Sequence, residues 1–250
     1  MLRAVLFDLD NTLILFDEEH YFRQYMNLVQ REFSDLLPAE ELGRKLLSAT
    51  QALMGNRGRM SNLDYFMRMF FSGAEDKGQL ILDRFERFYA TQYDQLQSLT
   101  TPIENVQHIL TEVQEMGLDI VIASNPLLPL NVQEMRLRWA GLEGMRFKLI
   151  THIGNMSYVK PQEGYYREIC GEIGRSPAEC LMVGNDSVND MSASRIGIKT
   201  YLTKDSAEVD GSHLAMSRGL LDEKDLVSVC PDYEGPLSGV PKVAASLLVP

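Results

Sequence analysis

Asp8 and Asp10 lie two residues apart in Asp8-Leu9-Asp10-Asn11-Thr12, directly after a short apolar run. At the end of a strand the chain turns as it leaves the sheet, so both carboxylates can approach one ligand. One carboxylate can attack phosphorus and form an acyl phosphate. Its neighbour can protonate the leaving oxygen, then deprotonate the water that cleaves the intermediate. Taken alone, the same residues also make an ordinary turn, with an aspartate capping Asn11 and Thr12.

A second acidic pair, Asp186 and Asp190, lies in Gly184-Asn185-Asp186-Ser187-Val188-Asn189-Asp190, again after an apolar run. A helix starting here would set both acids on one face of its first turn. Hard oxygen donors of this kind suit Mg²⁺, which takes a few carboxylates and completes its shell with water and phosphate. Acids at a helix start also serve the helix dipole with no ligand at all. Ser124-Asn125 offers a hydroxyl and backbone N–H groups to a phosphoryl oxygen. Lys160, just before Pro161, has the charge to neutralise both phosphate and clustered carboxylates.

The elements that must position these residues read as alternating strands and helices. Residues 4–9, 119–123, 147–151 and 181–184 are short apolar runs, each followed by polar or glycine-containing residues, and 199–202 is a weaker fifth. Strands covered by helices on both faces read this way. Thr101-Pro102 carries the signature of a helix start, followed by Ile103, Val106, Leu110 and Val113 at helical spacing and Gly117 as a stop. Ser176-Pro177 repeats that signature, and Lys160-Pro161 precedes a helix with Tyr165, Ile169 and Ile173 on one side. The pattern predicts an α/β fold: a Rossmann-like, doubly wound parallel sheet.

Residues 15–98 interrupt the alternation, with helical patterns at 17–37, 38–54, 62–71 and 77–98 and no strand pattern. Their aromatic and methionine residues, among them Tyr21, Phe22, Tyr25, Met26, Phe66, Met67, Met69, Phe70 and Phe71, read as the core of a helical bundle. The expected organisation is a core of residues 1–14 and 99–250 with an all-helical domain, 15–98, inserted after the first strand.

Composition narrows the partners. The chain has 250 residues, net charge −11 and pI near 4.9. Such a surface repels nucleic acid and anionic lipid, yet a few local cations and a metal can still bind a small anion. Cys170, Cys180 and Cys230 are too few and too scattered for a disulfide framework or zinc motif. With no signal-peptide pattern and no long apolar segment, a cytoplasmic protein with no membrane or nucleic-acid partner is expected.

In order along the chain, Asp-x-Asp-x-Thr, Ser124, Lys160-Pro161 and Gly184-Asn185-Asp186 with Asp190 resemble the haloacid dehalogenase-like superfamily, in particular its phosphatases. The resemblance covers nearly the whole chain. It implies Asp8 as nucleophile and metal ligand, and Asp10 as general acid/base with its backbone carbonyl on the metal. It also implies Lys160 as the charge-neutralising lysine, Ser124 as the phosphoryl-oxygen ligand, and Thr12 as support for the first loop; Asn125, beside Ser124, is a further substrate-binding candidate from the turn itself. Mg²⁺ would be the cofactor, held also by Asp186 with Asp190 as its water-mediated partner. Residues 15–98 would be a cap that helps to choose a small phosphorylated metabolite. Many members have Gly-Asp where this chain has Gly184-Asn185-Asp186, so the ligand is set at Asp186, four before Asp190.

Other readings compete. The dehalogenases of the superfamily lack an acid two residues after the nucleophile, so Asp10 favours phosphate esters. Phosphomutases keep that acid, and transfer to a second sugar hydroxyl needs a cap that excludes water and positions an acceptor. A receiver-type signalling domain also phosphorylates an aspartate, but needs only about half this length and no helical insertion. Arg57 and Arg59 flank Gly58 between cap helices, as solvated loop arginines or as ligands for an anionic substrate group. His20 and His152 are expected to be structural or surface residues.

Overall fold

A computed structural model of the protein describes residues 1–71, 78–206 and 221–248. The chain begins with strand β1 (Ala4–Phe7) and continues through β2 (Ile14–Leu15) and helices α1 (Glu18–Phe33), α2 (Ala39–Ala52), α3 (Asn62–Phe70) and α4 (Gly78–Thr91). Strand β3 (Thr101–Pro102), α5 (Val106–Glu115), β4 (Asp119–Ile122), α6 (Leu130–Trp139), β5 (Leu149–Ile150) and α7 (Glu163–Ile173) follow. The rest comprises β6 (Cys180–Gly184), β7 (Lys199–Thr203), β8 (Tyr233–Gly235) and α8 (Val240–Ser246).

Six strands form one sheet in the order β5-β4-β1-β6-β7-β8, and every pairing is parallel. Side chains alternate across it as the pleat requires. Val5, Phe7, Ile120, Ile122, Leu181 and Val183 join one core with Leu110 and Val113 of α5, Val132 of α6 and Val240 of α8. Ala4, Leu6, Val121, Cys180 and Met182 face the other core, closed by Tyr165, Tyr166 and Ile169 of α7. Both faces are dry, which explains the unbroken apolar runs. The sheet grows outward from β1 on both sides. The carboxyl ends of β4, β1 and β6 therefore meet at the switch point where such sheets bind ligands.

The described residues between β2 and β3 contain helices and 3-10 turns but no strand. The first residue of the helix expected over 77–98 lies outside the described residues. Asp17 starts α1, its Oδ1 accepting from the His20 amide at 2.6 Å, and Ser61 Oγ accepts from the Asp64 amide at 3.1 Å to start α3. The aromatics do form a core: Tyr25, Phe88 and Tyr93 meet edge to face, and Phe33 lies 4.5 Å from Phe85 between centroids. Phe22 and Met69 are exposed instead.

Two expectations need correction, and one conditional reading is not met. Thr101 and Pro102 do not open a helix. They pair antiparallel with Leu15 and Ile14, and Ile103 donates to the Leu13 carbonyl at 3.2 Å. Proline is tolerated there because a two-stranded ribbon leaves one edge without a partner. Helix α5 begins only after Asn105, at φ 59. Second, Ser176-Pro177 opens no α-helix but a 3-10 turn, Pro177–Glu179, with a reciprocal capping box, because β6 begins at Cys180. Third, no helix starts at Asp186; the next helical segment is the 3-10 stretch Met191–Ile196.

Asn105 tests the revised helix start. No side-chain cap bond forms there, so its contribution is tolerance of the left-handed conformation. Asn105→Ala should cost about 1 kcal/mol in urea unfolding, while Asn105→Gly should stay within a few tenths. A start at Pro102 would make Asn105 a helix-interior residue, and glycine would then cost about 1 kcal/mol relative to alanine.

Candidate active site

Register brings the site together. Phe7 pairs with Ile122 on one side and Val183 on the other. The Asp8 amide donates to the Val183 carbonyl at 2.8 Å, and the Ala123 amide to the Phe7 carbonyl at 2.7 Å. Asp8 and the residues leading into Ser124 and Asn185 therefore leave the sheet side by side. After Asp8 the chain folds back at Asn11, φ 54, which places Thr12 under Asp8. Thr12 Oγ1 lies 3.3 Å from Asp8 Oδ2 and 3.4 Å from Asn185 Oδ1.

Lys160 is the hub. It arrives on the loop before α7, is only 1% exposed, and divides its ammonium between two acids. Nζ lies 2.7 Å from Asp8 Oδ1 and 2.6 Å from Asp190 Oδ1. Burial works against this charge, but Asp190 and Asp8 outweigh it and hold the lysine pKa well above its ordinary value. For Asp190 burial dominates, pushing its carboxyl up to about 7 against the pull of Lys160 and with the push of Asp8 and Asp186. The ammonium offsets its own desolvation by pairing with both carboxylates at once.

Asp190 Oδ2 accepts from the Asp186 amide at 3.0 Å. Both Asp190 oxygens thus hold protein groups. Asp186 caps its own turn: Oδ1 accepts from the Val188 and Asn189 amides, each at 2.8 Å, and Oδ2 from Asn189 Nδ2 at 2.7 Å. Gly184 lies directly beneath Asp190, where an added Cβ would collide with the Asp190 carboxylate.

Asn125 Oδ1 accepts from the Lys160 amide at 3.3 Å, joining the β4 loop to the lysine loop. Ser124 is buried, and its carbonyl accepts from Thr151 Oγ1 at 2.6 Å and from the Tyr165 hydroxyl at 2.8 Å. Asp10 is more open than Asp8 and forms an ion pair through Oδ1 with Arg136 of α6. Arg136 was not legible as a site residue, because nothing in the sequence separates it from the exposed Arg138. Burial brings its pKa down to about 10, with the Asp8 charge acting in the opposite direction.

The remaining candidates make contacts of their own or lie at the surface. His20 is exposed, and His152 Nδ1 accepts from the Gly154 amide at 3.1 Å within its own turn. Arg57 pairs with Asp222 at 3.4 Å, and Arg59 is exposed.

The sequence model of the haloacid dehalogenase-like hydrolase family matches residues 2–195. The chain is a haloacid dehalogenase-like hydrolase. Structural relatives agree on the fold. A predicted phosphoglycolate phosphatase from Haemophilus somnus is 16% identical, with TM-score 0.56 and 97% of each chain covered. L-2-haloacid dehalogenase from Xanthobacter autotrophicus is 22% identical, with TM-score 0.56 over 98% of this chain and 99% of its own. The putative hydrolase YfnB from Bacillus subtilis, described as bound to magnesium, is 19% identical, with TM-score 0.53 over 97% of this chain and 98% of its own. A comparison with curated proteins found no match.

The donor set of this hydrolase fits a divalent cation in charge and atom type. Asp8, Asp10, Asp186 and Asp190 outnumber Lys160 and Arg136, and the upward push on Asp190 from Asp8 and Asp186 shows that the acids feel one another. Among the described residues, no three acid, histidine or cysteine side chains already converge on one point. Mg²⁺ needs only one or two carboxylates with water. Also among the described residues, no helix is long and apolar enough to cross a membrane.

Gly184→Ala tests the packing beneath Asp190. The added methyl should displace that carboxylate, and Lys160 with it, while the sheet remains intact. A displacement of about 1 Å at such a site costs roughly a hundredfold in turnover. Steady-state hydrolysis beside a far-ultraviolet dichroism spectrum measures both. Unchanged turnover would mean that Asp190 need not sit where it does.

Proposed function

We propose that this hydrolase is a Mg²⁺-dependent phosphatase of small phosphomonoesters, with Asp8 as nucleophile and Asp10 as general acid/base. The observation that carries the reading is the buried Lys160 shared by Asp8 and Asp190, with a second, more open carboxylate two residues after Asp8. A carbon–halogen bond leaves halide and needs no proton donor. A phosphate ester leaves an alkoxide, which does.

Asp8 attacks phosphorus, and Asp10 protonates the departing alcohol. Asp10 then takes a proton from water as it attacks the aspartyl phosphate, which returns Asp8 and releases phosphate. Lys160, with the Ser124–Asn125 turn, stabilises the equatorial oxygens, where fixed charge contributes most. Asp8, Asp186 and the Asp10 carbonyl would hold Mg²⁺, which supplies further neutralisation of phosphoryl charge when bound.

Residues 15–98 act as the cap in this reading. Support comes from how they meet the lysine loop. The Asn62 amide donates to the Met156 carbonyl at 2.7 Å, and Gln162 Nε2 to the Met54 carbonyl at 2.9 Å. Leu53 and Met54 pack with Val159, Val188 and Leu221, flanking Lys160 and the turn at Asp186. A segment docked on these loops is suited to screen the leaving group.

Asp8→Asn should abolish both turnover and phospho-enzyme formation on a panel of phosphorylated metabolites. Wild-type turnover in that variant would overturn the nucleophile assignment. Asp10→Asn should lose about a hundredfold or more. Dialysis against EDTA should stop phosphate release and added Mg²⁺ restore it; full activity in EDTA would sink the metal assignment.

A further inference from the structure

Arg136 is a charged side chain at 3% exposure in the middle of α6, a place where arginine is rarely found without a partner. Replacing a buried ion pair by apolar side chains is often neutral or stabilising, so stability alone is a weak reason for it. Its contacts suggest another. Nη2 pairs with Asp10 Oδ1, and Nη1 donates to Gln133 Oε1 at 3.2 Å. Gln133, fully buried, donates through Nε2 to the Thr151 carbonyl at 3.4 Å, and Thr151 Oγ1 donates to the Ser124 carbonyl at 2.6 Å. A polar chain thus runs through the core from the Asp10 carboxylate to the Ser124 backbone.

The direction of approach matters. The Asp10 side chain is 39% exposed and the Arg136 side chain 4%, so the guanidinium reaches Asp10 from the protein side. It takes Oδ1 and leaves Oδ2 as the oxygen for proton transfer. Asp10 sits on a turn, next to the left-handed Asn11, where an untethered aspartate would sample several rotamers. A proton-transfer group must be held within hydrogen-bond reach of the reacting oxygen.

We propose that Arg136 is a positioning residue for Asp10, tying its carboxylate to the β4 loop so that one oxygen stays aimed at the leaving group. This rests on the reading of Asp10 as general acid/base. Arginine suits the task because two nitrogens of one rigid fork serve Asp10 and Gln133 together. A lysine ammonium keeps the charge without that fixed geometry.

The test is leaving-group dependence. With Mg²⁺ present, kcat/KM is measured for 2,4-dinitrophenyl, 4-nitrophenyl and phenyl phosphate. This parameter reports the steps through phosphorylation of Asp8, and protonation matters most for phenolate, least for dinitrophenolate. Arg136→Met should lose about tenfold to a hundredfold on phenyl phosphate and little on the dinitrophenyl ester, with KM nearly unchanged. Arg136→Lys, which retains the buried charge, should show the same steepened dependence. In Asp10→Asn/Arg136→Met both charges are gone, and the double variant should be no slower than Asp10→Asn alone. An equal loss on all three esters, no loss at all, or multiplicative losses in the double variant would each overturn the proposal. Wild-type activity in Asp10→Asn would instead overturn the general acid/base reading. Should Arg136→Met fail to fold, Arg136→Lys and the charge-neutral double variant decide.

Discussion

The site is organised around one ammonium group in the core. Lys160 pairs with both Asp8 and Asp190 and is buried with them. Removing one member of such a set leaves an uncompensated buried charge, at a cost of about 3–5 kcal/mol. The surrounding geometry answers to that constraint. The end of β1 must present Asp8 and the turn after β6 must present Asp190. The loop from Met156 to Gln162 must bring Lys160 between them; Asn125 holds that loop from the β4 side, and Gln162 closes it from within by accepting from the Val159 amide.

Much of this was legible because its physics is local. Strands buried on both faces leave unbroken apolar runs, and β1, β4, β6 and β7 were read from them. The runs overreached at their ends, where the chain turns into the site and stays buried for chemical reasons: the expected strand over 4–9 stops at Phe7 because Asp8 begins the turn. What failed was nonlocal. Thr101-Pro102 has the side chains of a helix start, and only its partner Ile14, far away in sequence, makes it a strand. Strand β8, Tyr233–Gly235, is three residues at an edge, with Glu234 exposed and its neighbours half-buried, so no apolar run announces it. Its place follows from pairing with β7 rather than from its own composition.

Arg136 and Arg138 show the same limit at the level of one side chain. They lie two apart on α6, hence on opposed sides of the helix. Arg138 turns outward to Asp94, and Arg136 turns inward to Asp10. A helix with charge on its buried side loses the amphipathic contrast that sequence reading depends on. The residue hidden by that loss is the one that touches the proposed acid/base. Functional sites break local patterns for this reason: the chemistry needs a charge where packing alone would choose a leucine.

The turn after β6 can be understood in the same terms. Asn185 stood out in the sequence as an extra residue between the glycine and the acid. In the fold its Oδ1 lies 3.4 Å from Thr12 Oγ1, whose hydroxyl also approaches Asp8, so Asn185 links the turn after β6 to the turn after β1. The four-residue spacing of Asp186 and Asp190 then closes a single turn, with the Asp190 amide donating to the Asp186 carbonyl at 2.9 Å and the Asp190 carboxylate returning to the Asp186 amide. That return path passes directly over Gly184, so the glycine is needed for clearance and not for an unusual backbone angle. Glycine, asparagine and the two aspartates are therefore one unit. The glycine admits the Asp190 carboxylate, that carboxylate fixes both the turn and Lys160, and the asparagine holds the unit level with Asp8.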